Sequence, residues 1–224
     1  MPPSQRTDVP GGGAADTVKV VLDWDGTATE VDTLELVLRE FGDVDVFERA
    51  ERALLSGEMS YRALMEAEFA SVRAPLAEVR AWLAERARLR PGLRELARDH
   101  EVLILSSGFE ELIRPLLAQE RLELELVANR IDPRPDGWRI VWSDAATCLE
   151  CGDLCKRRSL PHGALVYVGD GYSDRCAALA AERVFARDTL ADWLRSRGTP
   201  FEPFDDLVDV ATALRDGATS SPAP

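Results

Sequence analysis

The chain has 224 residues, 46% of them hydrophobic, and carries 40 acidic against 27 basic side chains for a formal net charge of −13. That length suits one domain with an insertion or two small domains, with enough apolar content for a substantial core. The charge excludes nucleic acid and anionic membranes as partners, and no apolar run approaches the roughly 18 residues of a membrane span. A small anionic ligand stays compatible, because a metal or a local cation outweighs the global field at short range.

Residues 1–17 are rich in Pro, Gly and Ala, lack the apolar core of a secretory signal, and read as a disordered tail, as do residues 217–224. Val18–Leu22 is an apolar run ending in acids, a buried strand. Residues 32–90 then change character. Leu34, Val37, Leu38 and Phe41 recur at helical spacing, as do Phe47, Ala50 and Leu54, then Leu64, Met65, Phe69 and Val72. A fourth such segment starts at Pro75, a good first-turn residue, with Val79, Trp82 and Leu83 on one face. These are four short amphipathic helices.

At "RPGLRELARDH" a helix leads into "EVLILSSGF", a second apolar strand stopping at Ser106–Gly108, with a helix after it from about Phe109 to Leu117. "RLELELVANR" alternates apolar and acidic residues, as a half-buried strand near a sheet edge does, and "DGWRIVWSD" predicts a small hairpin. "ALVYVGDGYSD" is a third buried strand ending in acids, followed by a helix over "RCAALAAE"; "RVFAR" is a fourth core strand, and "TLADWLRSRG" is helical. Buried strands alternating with helices mean parallel βαβ units. The expected fold is therefore α/β: a Rossmann-like, doubly wound, mainly parallel sheet built from residues 18–31 and 91–216, with an inserted all-helical cap over 32–90. Ligands of such sheets sit outside the carboxyl ends of the strands, where every polar cluster of this chain falls.

Asp23 and Asp25 lie two residues apart at the end of the first strand. Like charges that close need a cation, a shared proton or a chemical task. A turn explains one Asp-Gly pair, but it would have to hold again at "VGDGYSD". A calcium loop requires a glutamate eleven positions after the first aspartate, where Leu34 stands. Asp23 with Asp170 and Asp174 makes a hard, oxygen-only donor set, which suits Mg²⁺. Lys156 is one of only two lysines, with Lys19, in a chain that otherwise uses arginine, and it falls where a compact ammonium is useful. Ser106 reads either as a helix N-cap or as a phosphate-binding hydroxyl, two compatible roles at a helix start.

"DWDGT", "LILSSG", Lys156 and "VGDGYSD" resemble, in order and spacing, the four motifs of the haloacid dehalogenase superfamily of phosphohydrolases. The resemblance implies Asp23 as the nucleophile that becomes an aspartyl-phosphate. It implies Asp25 as the acid that protonates the leaving alcohol and then deprotonates water. Dehalogenases proper need no such acid, so Asp25 points to a phosphatase. Ser106 would hydrogen-bond a phosphoryl oxygen with Thr27, Ser107 and Gly108 around it, and Lys156 would neutralise developing charge. Mg²⁺ would be held by Asp23, the backbone carbonyl of Asp25 and Asp170, with Asp174 supporting that set.

The inserted cap and "SSGF" resemble the phosphoserine phosphatase-like branch, although Ser107 stands where that branch usually has glycine. "CLECGDLCK" and the segment after the last motif are similar to methionine-salvage phosphatases acting on a hydroxy-keto-methylthiopentenyl phosphate. Phosphoserine, phosphocholine or phosphoethanolamine are alternative substrates, and a phosphotransferase or mutase would use the same residues. Asp32 stands where the phosphoserine enzymes carry an acid for the substrate amine, and it equally reads as a helix N-cap. Phe41, Met59 and Tyr61 are candidates for an apolar substrate pocket or for core.

Cys148, Cys151 and Cys155 have C-x₂-C-x₃-C spacing, and Cys176 or His162 would have to supply a fourth ligand for a metal knuckle. The favoured reading is a loop of reduced thiols that positions Lys156; a cysteine–metal regulatory module is the non-enzymatic alternative. The overall expectation is a cytoplasmic, Mg²⁺-dependent enzyme, monomer or homodimer, acting on a small phosphorylated metabolite.

Overall fold

Val20, Val21 and Leu22 are wholly shielded from solvent because their strand is the central one of the sheet. The structure, a computed structural model, describes residues 19–219. In it β1 (Lys19–Leu22), β2 (Glu101–Phe109), β3 (Glu125–Asp132), β4 (Arg139–Val141), β5 (Val166–Gly169), β6 (Arg183–Ala186) and β7 (Glu202–Pro203) form one seven-stranded sheet. The order is β4-β3-β2-β1-β5-β6-β7, and β4 alone among these runs antiparallel to its neighbour. Val20 and Leu22 face one helix layer, containing α5 (Leu93–Asp99), α6 (Glu110–Gln119) and α9 (Leu207–Thr219). Val21 faces the other, with α7 (Arg175–Ala178) and α8 (Asp188–Ser196). This is the doubly wound α/β arrangement expected from the apolar runs.

Between β1 and β2 stand α1 (Thr33–Phe41), α2 (Val44–Ser56), α3 (Tyr61–Phe69) and α4 (Leu76–Arg86). Asp32, Asp43 and Ser60 cap the first three by accepting backbone N–H bonds in their opening turns. Pro75 occupies the N-cap of α4, one position before the first helical residue expected of it. The insert is fastened to the sheet by Phe69, whose ring meets Phe109 edge-on at 4.6 Å and stacks on Trp138 at 6.5 Å.

The chain leaves the sheet and returns through one narrow junction. Glu30 N–H donates to Arg88 O at 3.0 Å, and Arg90 N–H donates to Ala28 O at 2.8 Å. The buried Arg90 guanidinium donates to the carbonyls of Gly26 (2.7 Å), Thr27 (2.8 Å), Thr29 (3.1 Å) and Asp205 (3.0 Å).

Several expectations need correction. The segment expected to be a tail from residue 217 is helical through Thr219, because α9 packs Val210, Ala211 and Leu214 against α5. Residues 220–224, the expected N-terminal tail and Val18 lie outside the described residues. β7 carries no apolar run to announce it. The helix expected over "RCAALAAE" has only the four residues of α7, and Leu179 emerges half-exposed beyond it. Ser106 does not cap α6, because β2 runs on through Phe109, which takes the N-cap position.

Candidate active site

The carboxyl ends of β1, β2 and β5 meet around one cavity of about 380 Å³, roofed by the helical insert. Parallel pairing sets this up: Leu22 lies beside Ile104 and Val168, so the residues following each strand emerge side by side. Asp23 N–H continues the ladder by donating to Val168 O at 2.9 Å. Its carboxylate, 4% exposed, is ion-paired with Lys156. Lys156 is itself 4% exposed and reaches Asp174 Oδ1 at 2.6 Å with the same ammonium. Burial works against the charge on Lys156, and Asp174 and Asp23 outweigh it, raising its pKa. Burial and the charge of Asp174 push Asp23 up to about 6, with Lys156 opposing, so Asp23 is ionised at neutral pH.

Asp25 has a different environment. Its Oδ1 accepts from Thr33 N–H at 3.1 Å and from the Thr33 hydroxyl. Burial, then the charges of Asp32 and Asp23, holds its pKa well above the usual carboxylate range. The two carboxyls therefore differ in environment: Asp23 faces an ammonium, whereas burial beside Asp32 and Asp23 favours the protonated form of Asp25.

Asp174 is fully buried and its acceptor capacity is filled. Oδ1 accepts from Lys156 and from the Tyr167 hydroxyl at 2.7 Å; Oδ2 accepts from Asp170 N–H at 3.0 Å and Gly171 N–H at 2.9 Å. Asp174 therefore orients the ammonium and the 170–171 turn, consistent with the supporting role expected of it beside Asp23 and Asp170. Asp170 accepts from the Thr27 hydroxyl at 3.0 Å. Burial and the charges of Asp23 and Asp174 push it up to about 9. A Cβ at Gly26, whose φ is +74°, would collide with the Asp170 carboxylate, so only glycine permits this approach.

Ligand oxygens of Asp23, Asp170 and Asp174 lie within 4.8 Å of one another. The facing carboxylates of Asp23 and Asp170 repel each other, an all-oxygen donor pair that a hard divalent cation would neutralise, and these residues fit Mg²⁺.

On β2, Ser106 Oγ accepts from Gly108 N–H at 2.8 Å, and Ser107 O accepts from Asn129 Nδ2 at 2.8 Å. A Cβ on Gly108 would stand 3.0 Å from Asp25 Oδ2, so glycine keeps that carboxyl oxygen accessible. Asp32 caps α1 by accepting from Glu35 N–H at 2.8 Å and also lines the cavity, so its two expected positions coincide. Tyr61 lines the cavity and stacks on Tyr172, with ring centroids 6.0 Å apart. Phe41 and Met59 instead pack into the core, and Phe47, Met65 and Phe69 take the lining positions.

Four residues gave no sequence signal for the places they hold. Tyr167 sits inside an apolar run, Asn129 inside an alternating strand, and Thr33 in a first helical turn. Glu68 is a lone acid on the apolar stripe of α3, 2% exposed; it lines the cavity and has an unpartnered Oε1.

Residues 20–179 match the family model of haloacid dehalogenase-like hydrolases. The chain belongs to that family. Among curated proteins it is similar to the 2-hydroxy-3-keto-5-methylthiopentenyl-1-phosphate phosphatase of Exiguobacterium sibiricum, 27% identical over 209 residues, covering 86% of this chain and 95% of the relative. It is 30% identical over 215 residues to Pdp3-interacting factor 1 of Schizosaccharomyces pombe, covering 88% and 94%. A solved phospho-aspartyl intermediate analogue of phosphoserine phosphatase shares the fold, with TM-score 0.66, 16% identity, and 88% and 98% of the two chains covered. Phosphoserine phosphatase from T. onnurineus does so with TM-score 0.64, 20% identity, and 96% and 100% covered.

Proposed function

We propose that the protein hydrolyses a small-metabolite phosphomonoester through an aspartyl-phosphate on Asp23. The observation that carries this reading is the geometry of two neighbouring carboxyls, Asp23 ion-paired with Lys156 and Asp25 held by the Thr33 N–H and hydroxyl.

A carboxylate oxygen of Asp23 attacks phosphorus while the bond from phosphorus to the alcohol oxygen breaks, and Asp25 gives its proton to that oxygen. Asp25, now a carboxylate, takes a proton from water as the water oxygen attacks the aspartyl-phosphate, releasing phosphate and restoring Asp23. Lys156 spreads its charge over the transferring group, and Ser106 with the 106–108 backbone binds the phosphoryl oxygens. Asp23, Asp170 and the backbone carbonyl of Asp25 would hold Mg²⁺, which would supply Lewis-acid neutralisation of the phosphoryl oxygens.

The cavity lining narrows the substrate. Leu38, Leu54, Met65 and Phe69 offer an apolar wall, while Asp32, Glu35 and Glu51 repel a second negative charge. This supports an uncharged, partly apolar alcohol, as in the methionine-salvage phosphate named for the curated relatives, over phosphoserine. The same acids favour a second reading, a phosphorylated amino alcohol such as phosphoethanolamine or phosphocholine. Steady-state kinetics on these four phosphates with Mg²⁺ test the choice. The keto-methylthiopentenyl phosphate is expected to give the highest kcat/KM, and a preference for phosphoserine would refute the electrostatic argument.

A further inference from the structure

On the far side of Lys156 from the acids, a second cluster forms from residues the hydrolysis does not use. The segment 148–155 doubles back on itself: Gly152 N–H donates to Cys148 O at 2.9 Å, and Cys148 N–H donates to Asp153 O at 2.9 Å. Gly152 has φ +74°, a left-handed turn that swings Cys151 onto the same side as Cys148. Cys155 follows in extended conformation immediately before Lys156, and Cys176 comes up from α7, two residues after Asp174. Of the two candidates for a fourth group, the fold delivers Cys176 to the cluster and leaves His162 out.

The four sulfurs all lie within 4.8 Å of one another, and the Cys148–Cys176 pair stands at 3.9 Å. A tetrahedral ion with bonds of about 2.3 Å to sulfur sets its ligand sulfurs roughly 3.8 Å apart, so the cluster sits close to the dimensions of such a cage. A disulfide needs about 2.05 Å and would use two thiols while stranding the others.

We propose that Cys148, Cys151, Cys155 and Cys176 bind one structural Zn²⁺ as a closed tetrathiolate site. Soft thiolates in a tetrahedral set select zinc over the hard cation suited to the carboxylates. The thiols lose their protons as the cation binds, so binding would be pH-dependent. Cys151 is exposed and provides the entry path. Arg157, Arg175 and Arg197 line the adjoining cavity together with Cys151, Cys155 and Cys176, and their charge offsets a dianionic zinc tetrathiolate.

The position gives the ion a task. Cys155 precedes Lys156 directly, Cys176 anchors the helix that follows Asp174, and Asp153 of the same loop accepts from Tyr61 N–H of the insert at 2.6 Å. Zinc would thus tie the Lys156 loop, the Asp174 turn and the start of α3 to one point. It takes no part in the hydrolysis, and the proposal stands independently of the substrate.

The test is metal analysis of the full chain, purified under reducing conditions without added metal, before and after chelator challenge. About one zinc per chain is expected, with X-ray absorption showing four sulfurs near 2.3 Å. Cys148→Ser is expected to abolish the bound zinc. Cys151→Ser, at an exposed position that tolerates change, is expected to lose zinc to the chelator at least about 100-fold more readily. Asp170→Asn is expected to retain it, which separates this site from the carboxylates. A zinc-free wild type, iron in its place, oxygen or nitrogen neighbours in the absorption spectrum, a disulfide found by alkylation and mass measurement, or zinc held by Cys151→Ser as tightly as by wild type would each overturn the assignment.

Discussion

Two sets of carboxylates face the same cavity, one at the strand ends and one on the helical insert, and they are supported in opposite ways. Asp23 and Asp174 share the Lys156 ammonium, and Asp174 has a donor for each of its lone pairs. On the insert, Glu68 is just as buried but has an oxygen with no partner, and burial followed by the charges of Glu51 and Asp32 pushes it up to about 8. Burial alone thus does not say what a carboxyl does. The Lys156 ammonium offsets the burial of Asp23, whereas Glu68 has no such partner and keeps its proton, a neutral hydrogen-bond donor in an apolar wall.

The contrast can be broken most severely at Asp23. Asp23→Asn removes the proposed nucleophile with little change of shape, and Mg²⁺-dependent hydrolysis of p-nitrophenyl phosphate should fall by about 10⁴-fold or more. Residual activity within tenfold of wild type would dismiss the covalent route. Lys156→Met strips the strand-end acids of their cation and should cost about 3–5 kcal/mol of stability in urea titrations. An unchanged midpoint would mean that those acids do not depend on the ammonium.

Glu68→Gln probes the other set through pH. In the folded chain Glu68 keeps its proton up to about 8, whereas an ordinary glutamate loses it near 4.5. Between those values the folded state binds the extra proton, so this group's contribution to stability falls as pH rises. The variant should therefore be more stable than wild type at pH 8, by on the order of 3 kcal/mol, and nearly equal at pH 4.5. Parallel Tm curves at both pH values would contradict this. The smallest effect belongs to Tyr167→Phe, which removes one hydrogen bond to Asp174 and should cost about 1 kcal/mol. A loss as large as that of Lys156→Met would mean that Tyr167, and not the lysine, holds Asp174 in place.

What the sequence made legible follows from the same distinction. β1, β2 and β5 are covered on both faces, so they read as unbroken apolar runs, and the acids ending them stand out. Asp23, Asp25 and Asp170 were visible for that reason. Tyr167 was not, because an aromatic in such a run looks like packing until the fold places Asp174 against its hydroxyl. Glu68 was hidden because it is a lone acid on the buried stripe of α3, beside Leu64, Met65 and Phe69, where its charge alone suggested solvent. Cys176 stands 21 positions after Cys155, and only the crossover through β5 brings it to the other thiols. β7 and the end of α9 went unseen because short edge elements rely on contacts distant in sequence rather than on local pattern.

The Arg90 junction has a mechanical consequence. Its guanidinium and the backbone bonds of Ala28 and Glu30 bind the outgoing and returning segments into one ribbon, with Thr29 bridged to Leu89. The same arginine grips the carbonyls of Gly26 and Thr27 in the Asp23–Thr27 loop, so the root of the insert and the backbone that presents Asp23 share one anchor. Any displacement of the insert's root would therefore be felt at the Asp23 backbone.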